Sequence, residues 1–133
     1  MPGAVLRVAG GRANVARFLR VTRWKPLTVY WRGQPRFETS KRTSTVNGFN
    51  VAVSSAPGIH FAGQLRDATK FFQKHGQEFR RMKRMNLSAV LDFGIDTRDE
   101  SVATFLRFSS PFVSTLARYG VELELSCYGG PAA

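Results

Sequence analysis

The stretch SPFVSTLARYGVELELS, residues 110–126, changes its hydrophobic period in the middle. Phe112, Leu116 and Tyr119 recur at helical spacing, whereas Val121, Leu123 and Leu125 alternate with Glu122, Glu124 and Ser126. Ser110 followed by Pro111 supplies a hydroxyl cap and a proline at the first helical position, where a missing N–H costs nothing. Gly120 then stops the helix, and the strand begins at once. A helix, a stop and a strand in one short stretch predict a fold containing both element types.

Working outward, Leu87, Ala89, Leu91, Phe93 and Ile95 alternate with Ser88, Val90, Asp92 and Gly94, the pattern of a strand buried on one face. Phe61, Leu65, Ala68 and Phe72 mark the apolar stripe of a helix stopped by Gly76 after His75. Phe79, Met82 and Met85 predict a second short helix. Towards the N-terminus, Val5, Leu6 and Val8 form a first strand ended by Gly10-Gly11, and Asn14 caps a brief helix through Arg20. Pro26 restarts the chain as a strand from Leu27 to Arg32, closed by Gly33-Gln34-Pro35. Residues 36–46 read as a surface loop or a weak edge strand. Asn47-Gly48 has the composition of a tight type I′ turn joining Thr43–Val46 to Phe49–Ser54. After an acidic loop, Asp96 to Glu100, residues 102–108 read as a further short strand. These segments add up to one α+β domain over residues 1–133. It has a mostly antiparallel sheet of five or six strands, with two or three helices packed on one face.

Charge is unevenly spread along this chain of 133 residues with net charge +11. Residues 1–90 hold seventeen Lys/Arg against three acids, while residues 91–133 hold three against six. Such a field steers encounters with anionic partners and opposes self-association. The partner it predicts is acidic: a protein, a nucleic acid or an anionic surface. With 43% hydrophobic residues and eleven Phe, the composition is that of a folded core and not of a disordered basic tail. No run of eighteen apolar residues is available to span a membrane, and Met1 to Leu6 is too short for a signal peptide. The lone Cys127 excludes an internal disulfide and agrees with a reducing, cytoplasmic location.

Catalytic and metal-binding patterns are sparse. Asp92-Phe93-Gly94 matches a kinase tripeptide in letters only, since no glycine-rich nucleotide loop accompanies it. Asp92, Asp96, Asp99 and Glu100 lack the ligand spacing of a calcium loop. His60 and His75 have no second cysteine to complete a zinc set, and His75 near a helix C-terminus suits the helix dipole when charged. Cys127 reads as a small core or near-core residue. The expectation is therefore a protein without catalytic residues, metal or cofactor, and with no small-molecule substrate.

Basic segments carry more information. Arg66, Lys70 and Lys74 are spaced by four along one helix, and Arg80, Arg81, Lys83 and Arg84 crowd into the next. Arg32, Arg36, Lys41 and Arg42 follow the aromatic pair Tyr30-Trp31. Adjacent side chains of a strand point to opposite faces, so Tyr30 and Trp31 cannot both be buried in a sheet covered on one side. An exposed aromatic beside Arg32 suits a protein interface or base stacking.

Several of these landmarks resemble a widespread group of small bacterial domains with no assigned activity. Leu6-Arg7-Val8-Ala9-Gly10, a short helix, and Trp31-Arg32-Gly33-Gln34-Pro35 are similar to the opening of that group. A strand near Gly48-Phe49-Asn50-Val51, a long helix and a central strand follow, and Phe108-Ser109-Ser110-Pro111 leads into Tyr119-Gly120-Val121-Glu122-Leu123-Glu124-Leu125-Ser126-Cys127-Tyr128 at the close. The resemblance implies a stand-alone domain, and similar proteins stand beside bacterial toxins as immunity partners. A basic member would suit an acidic toxin. The expected function is a non-catalytic binding module, an immunity-type inhibitor of an acidic partner. Its contacts would be Tyr30, Trp31, Arg32, Arg80, Arg81, Lys83 and Arg84. The alternative is a nucleic-acid binder acting through phosphate contacts, with affinity falling steeply in salt.

Overall fold

The computed structural model describes residues 3–36, 41–97 and 105–129. Nine elements follow one another: β1 (Ala4–Gly10), α1 (Arg12–Val21), β2 (Thr28–Tyr30), β3 (Asn47–Ser54), α2 (Phe61–Lys74), α3 (Gly76–Arg84), β4 (Ser88–Asp96), α4 (Ser110–Tyr119) and β5 (Val121–Tyr128). The strands form one sheet in the order β2-β3-β1-β4-β5. All pairs are antiparallel except β4 with β5, which run parallel across the α4 crossover. The first four strands thus make a split β-α-β pattern, in which β3 lies between β1 and β2, and β1 between β3 and β4. The α+β class and the mostly antiparallel sheet agree with the sequence reading; the helices number four among the described residues, one more than expected.

Alternation decides which side of the sheet the helices cover. Leu6, Val8, Phe49, Val51, Ala89, Leu91, Phe93, Ile95 and Val121 are all buried on one face, and Val15, Phe18, Phe72, Phe79, Phe112 and Leu116 come down from the helices to meet them. The seam is aromatic. Phe18 stacks on Phe49 at 5.6 Å, Phe72 on Phe79 at 4.5 Å and Phe79 on Tyr119 at 5.2 Å, while Phe93 touches Phe61, Phe108 and Phe112. Each such ring buries a large apolar area, and edge or offset geometry adds to it. The opposite face, carrying Arg7, Asn50, Asp92 and Glu124, has no helix over it.

Local rules that the sequence obeys reappear intact. Gly120 ends α4 in the left-handed conformation at φ 66°, and Gly33 turns the chain after β2 at φ 83°. Other expectations are corrected. The cap of α4 is Ser109, not Ser110: its Oγ accepts from the Phe112 N–H at 3.3 Å. The first helix begins at Arg12 after Gly11, ahead of Asn14, and β2 is confined to Thr28–Tyr30. Gly76 does not stop a helix but starts α3, after a one-residue break at His75. Asn47-Gly48 is not a turn. Both residues lie inside β3, opposite Gly10 and Ala9, and Gly48 lacks a positive φ. Its glycine answers a different need: a Cβ there would sit 2.1 Å from the Val8 carbonyl oxygen and 2.9 Å from the Tyr30 ring. Thr43 and Ser44 instead bridge back to Pro35 and Arg32. Residues 105–108 are not a strand, and 101–104 lie outside the described residues, as do Asp99 and Glu100. Cys127, at the outer edge of β5, is exposed.

Candidate functional site

Charge that is merely uneven along the chain is separated in space by the fold. The four helices carry eleven Lys/Arg (Arg12, Arg17 and Arg20 of α1 among them) against two carboxylates, Asp67 and Glu78. Both carboxylates are already engaged. Asp67 accepts from the Ser54 hydroxyl at 2.6 Å; Glu78, buried, accepts from Thr22 at 2.7 Å and from Arg81 at 2.9 Å. The five strands hold one cation, Arg7, and four acids, Asp92, Asp96, Glu122 and Glu124. Arg7 pairs with Asp92 at 2.6 Å and also with Glu124. Partial burial opposes its charge, but hydrogen bonds and attraction from Glu124 and Asp92 outweigh this and hold the guanidinium above its ordinary pKa. Asp92 also accepts from the Ser126 hydroxyl at 2.7 Å. Of the eleven helical cations only Arg81 forms an ion pair among the described residues.

Within this helical layer lies a groove of about 650 Å³, between α2 and α3 on one side and α4 on the other. Its floor is apolar, formed by Phe72 and Phe112, with Tyr119 beside them. Three cations reach it from three helices: Lys74, Arg80 and Arg118. No Asp or Glu lines it among the described residues. Its shape depends on Gly76, since a Cβ at that position would come within 2.9 Å of the Tyr119 hydroxyl and 3.3 Å of the Arg80 guanidinium. Lys83 donates to the Arg118 carbonyl at 3.2 Å, tying α3 to the end of α4.

The contact residues expected from the sequence do not converge. Tyr30 is 4% exposed, lies across Gly48 on the helix-free face of the sheet, and donates to Asn50 at 3.1 Å. The Arg36 guanidinium stands 4.3 Å above its ring, and burial raises the phenol pKa. Tyr30 is thus a covered residue, not an exposed anchor, and it sits across the sheet from α3. Trp31, just past β2, is half-buried against the core with Arg12 4.9 Å from its ring centre, so neither aromatic of the pair is the exposed anchor expected beside Arg32. Arg32 is exposed, and its backbone N–H donates to Asn47 at 2.9 Å. Within α3 the four cations separate: Arg80 enters the groove, Arg81 turns to Glu78 and the Val21 carbonyl, Lys83 reaches across to the Arg118 carbonyl, and Arg84 is exposed. Phe72, Lys74, Phe112, Arg118 and Tyr119 form part of the same groove and were not singled out as contact residues. Lys74 stood in a basic stripe, but Phe112, Arg118 and Tyr119, 38 or more positions away, gave no sign of meeting it.

His75 also differs from expectation. It packs against Phe71 at 4.5 Å and Trp24 at 5.7 Å, and partial burial, then Lys74, lowers its pKa, so the charged, dipole-stabilised form is disfavoured. Among the described residues no group of three or more His, Cys, Asp or Glu is placed to hold a metal, and no helix is long and apolar enough to cross a membrane. No family model, curated protein or solved structure matches this chain.

Proposed function

We propose that this chain is a non-catalytic binding module that docks an acidic protein on its helical layer, as an immunity-type inhibitor would. The observation carrying this reading is the eleven-to-two imbalance across the helices, with both carboxylates already satisfied. Unpaired surface cations contribute little to folding and repel one another. What they supply is a potential that accelerates association and selects the sign of the partner. Conversely, the one strand cation is neutralised by two acids and has no charge to offer.

A nucleic-acid partner would use the same electrostatics. The protein reading is favoured because every aromatic residue of the four helices is buried or half-buried, so the basic helical layer itself offers no exposed ring for base stacking; the exposed aromatic rings among the described residues, Phe105 and Tyr128, lie outside the helices. The groove adds an apolar floor on which a protein side chain can pack. The test is capture with the intact chain and with an Arg66→Glu/Lys70→Glu/Arg84→Glu variant. A single acidic protein held stoichiometrically by the first and lost by the second supports the reading. Nucleic acid alone, retained at physiological salt, defeats it.

A further inference from the structure

We infer that the groove between α2–α3 and α4 is the anchor pocket of this surface, and that it takes an aromatic side chain of an acidic peptide segment. The inference rests on the docking function proposed above and adds which part of the partner is read. Three features of the groove point to this occupant. Phe72 and Phe112 form a floor of buried rings, the surface that receives a flat apolar group. Lys74, Arg80 and Arg118 stand around it without any ion pair among the described residues, so a bound carboxylate would displace no internal partner. At about 650 Å³ the groove has room for one large side chain together with its flanking backbone.

The arrangement is that of an interface hot spot. An apolar anchor enters a recess with preformed walls, and charged groups at the rim fix its register. A ring seated on Phe72 and Phe112 brings its own backbone between Arg80 and Arg118. Acidic residues on either side of that ring then lie within reach of the cations. The walls are held in advance: Tyr119 stacks on Phe79 at 5.2 Å, and the Lys83 bond to the Arg118 carbonyl joins α3 to α4. Little ordering is left to occur on binding, which favours affinity. A second copy of this chain is a poor occupant, because its own helical layer carries the same sign of charge.

The experiment compares two synthetic peptides of equal charge, acetyl-Glu-Glu-Phe-Glu-Glu-amide and its Ala counterpart, by titration calorimetry against the intact chain. The Phe peptide is expected to bind at least about tenfold more tightly, the minimum gain from burying one aromatic ring. Thr115→Trp fills the groove and should abolish that preference; Arg80→Ala/Arg118→Ala, both at exposed positions, should reduce it without loss of fold. Arg66→Glu/Lys70→Glu, outside the groove, should weaken both peptides alike and leave their ratio unchanged. Equal affinities for the Phe and Ala peptides, with both sensitive to Arg66→Glu/Lys70→Glu, overturn the anchor pocket and leave the docking surface standing. Binding of a twenty-nucleotide oligothymidylate with neither peptide bound overturns both. Preferential binding of 1-naphthyl phosphate in the groove, undisturbed by excess Phe peptide, overturns the assignment of the occupant.

Discussion

The helical layer and the bare face of the sheet use charge in opposite ways. On the sheet, Arg7 is gripped by Asp92 and Glu124, and Asp92 is held further by Ser126, so the central charges of that face satisfy one another. On the helices ten cations stand without an ion pair among the described residues. The sheet network is a folding device, because partly buried charges must be satisfied. The helical cations have no such constraint and no such reward. Their stability comes from beneath, from the aromatic seam, and their charge is free for something outside the molecule. The largest break in this comparison is therefore Phe79→Ala. Phe79 is 1% exposed and touches Trp24, Phe71, Phe72 and Tyr119, so its loss should cost about 4 kcal/mol in urea unfolding. By contrast Lys70→Ala or Arg84→Ala should stay within about 0.5 kcal/mol of the parent. A large loss from either would mean that the helical charges are structural after all.

Binding should divide the regions the other way. Reversing Arg66, Lys70 and Arg84 to Glu is expected to weaken binding of an acidic partner by at least about a hundredfold, or about 2.7 kcal/mol, without lowering the unfolding midpoint, since it relieves repulsion among the cations. Arg7→Met should leave partner affinity alone and lower stability by about 1–2 kcal/mol, because it strands Asp92 with only the Ser126 hydroxyl. That figure is below the cost of breaking a fully buried pair, since the Arg7 side chain is 33% exposed. Salt discriminates further. Raising ionic strength should screen repulsion among the helical cations and stabilise the parent chain, and should shrink the Arg7→Met difference. Urea midpoints at low and moderate salt for both proteins measure this.

What the sequence discloses follows the same division between local and remote causes. β4 is legible because Ala89, Leu91, Phe93 and Ile95 alternate within one strand, and the end of α4 because Gly120 is a local stop. Asn47-Gly48 misleads because its glycine serves Val8 and Tyr30, partners far away in the chain. The basic block Arg80–Arg84 is visible as composition, yet one helical turn sends its members in different directions. Here a local signal existed: Glu78 and Arg81 are three apart, the spacing of a helical ion pair, and that pairing removes Arg81 from the free set. The groove left no such trace. Lys74, Arg80 and Arg118 meet only because the β4–α4–β5 crossover lays α4 beside α2 and α3.

The smallest expected effect tests whether His75, which lies in the chain between the groove residues Lys74 and Gly76, belongs to the seam. His75 packs on Phe71 and Trp24, and burial, reinforced by Lys74, sets its folded pKa below the unfolded value of 6.5. The unfolded chain then binds more protons than the folded one in the interval beneath 6.5, so stability must rise with pH there. Stability should be greatest above pH 6.5, decline as pH falls through that interval, and level off once the folded imidazole is also protonated. The slope is shallow because the ring is partly open to water. His75→Gln should remove it without altering the preference for an aromatic peptide. A slope of opposite sign would mean that the imidazolium is favoured in the folded state, and would add His75 to the cations available to a partner. Unfolding midpoints between pH 5 and 7.5, compared for the parent and His75→Gln, decide between the two.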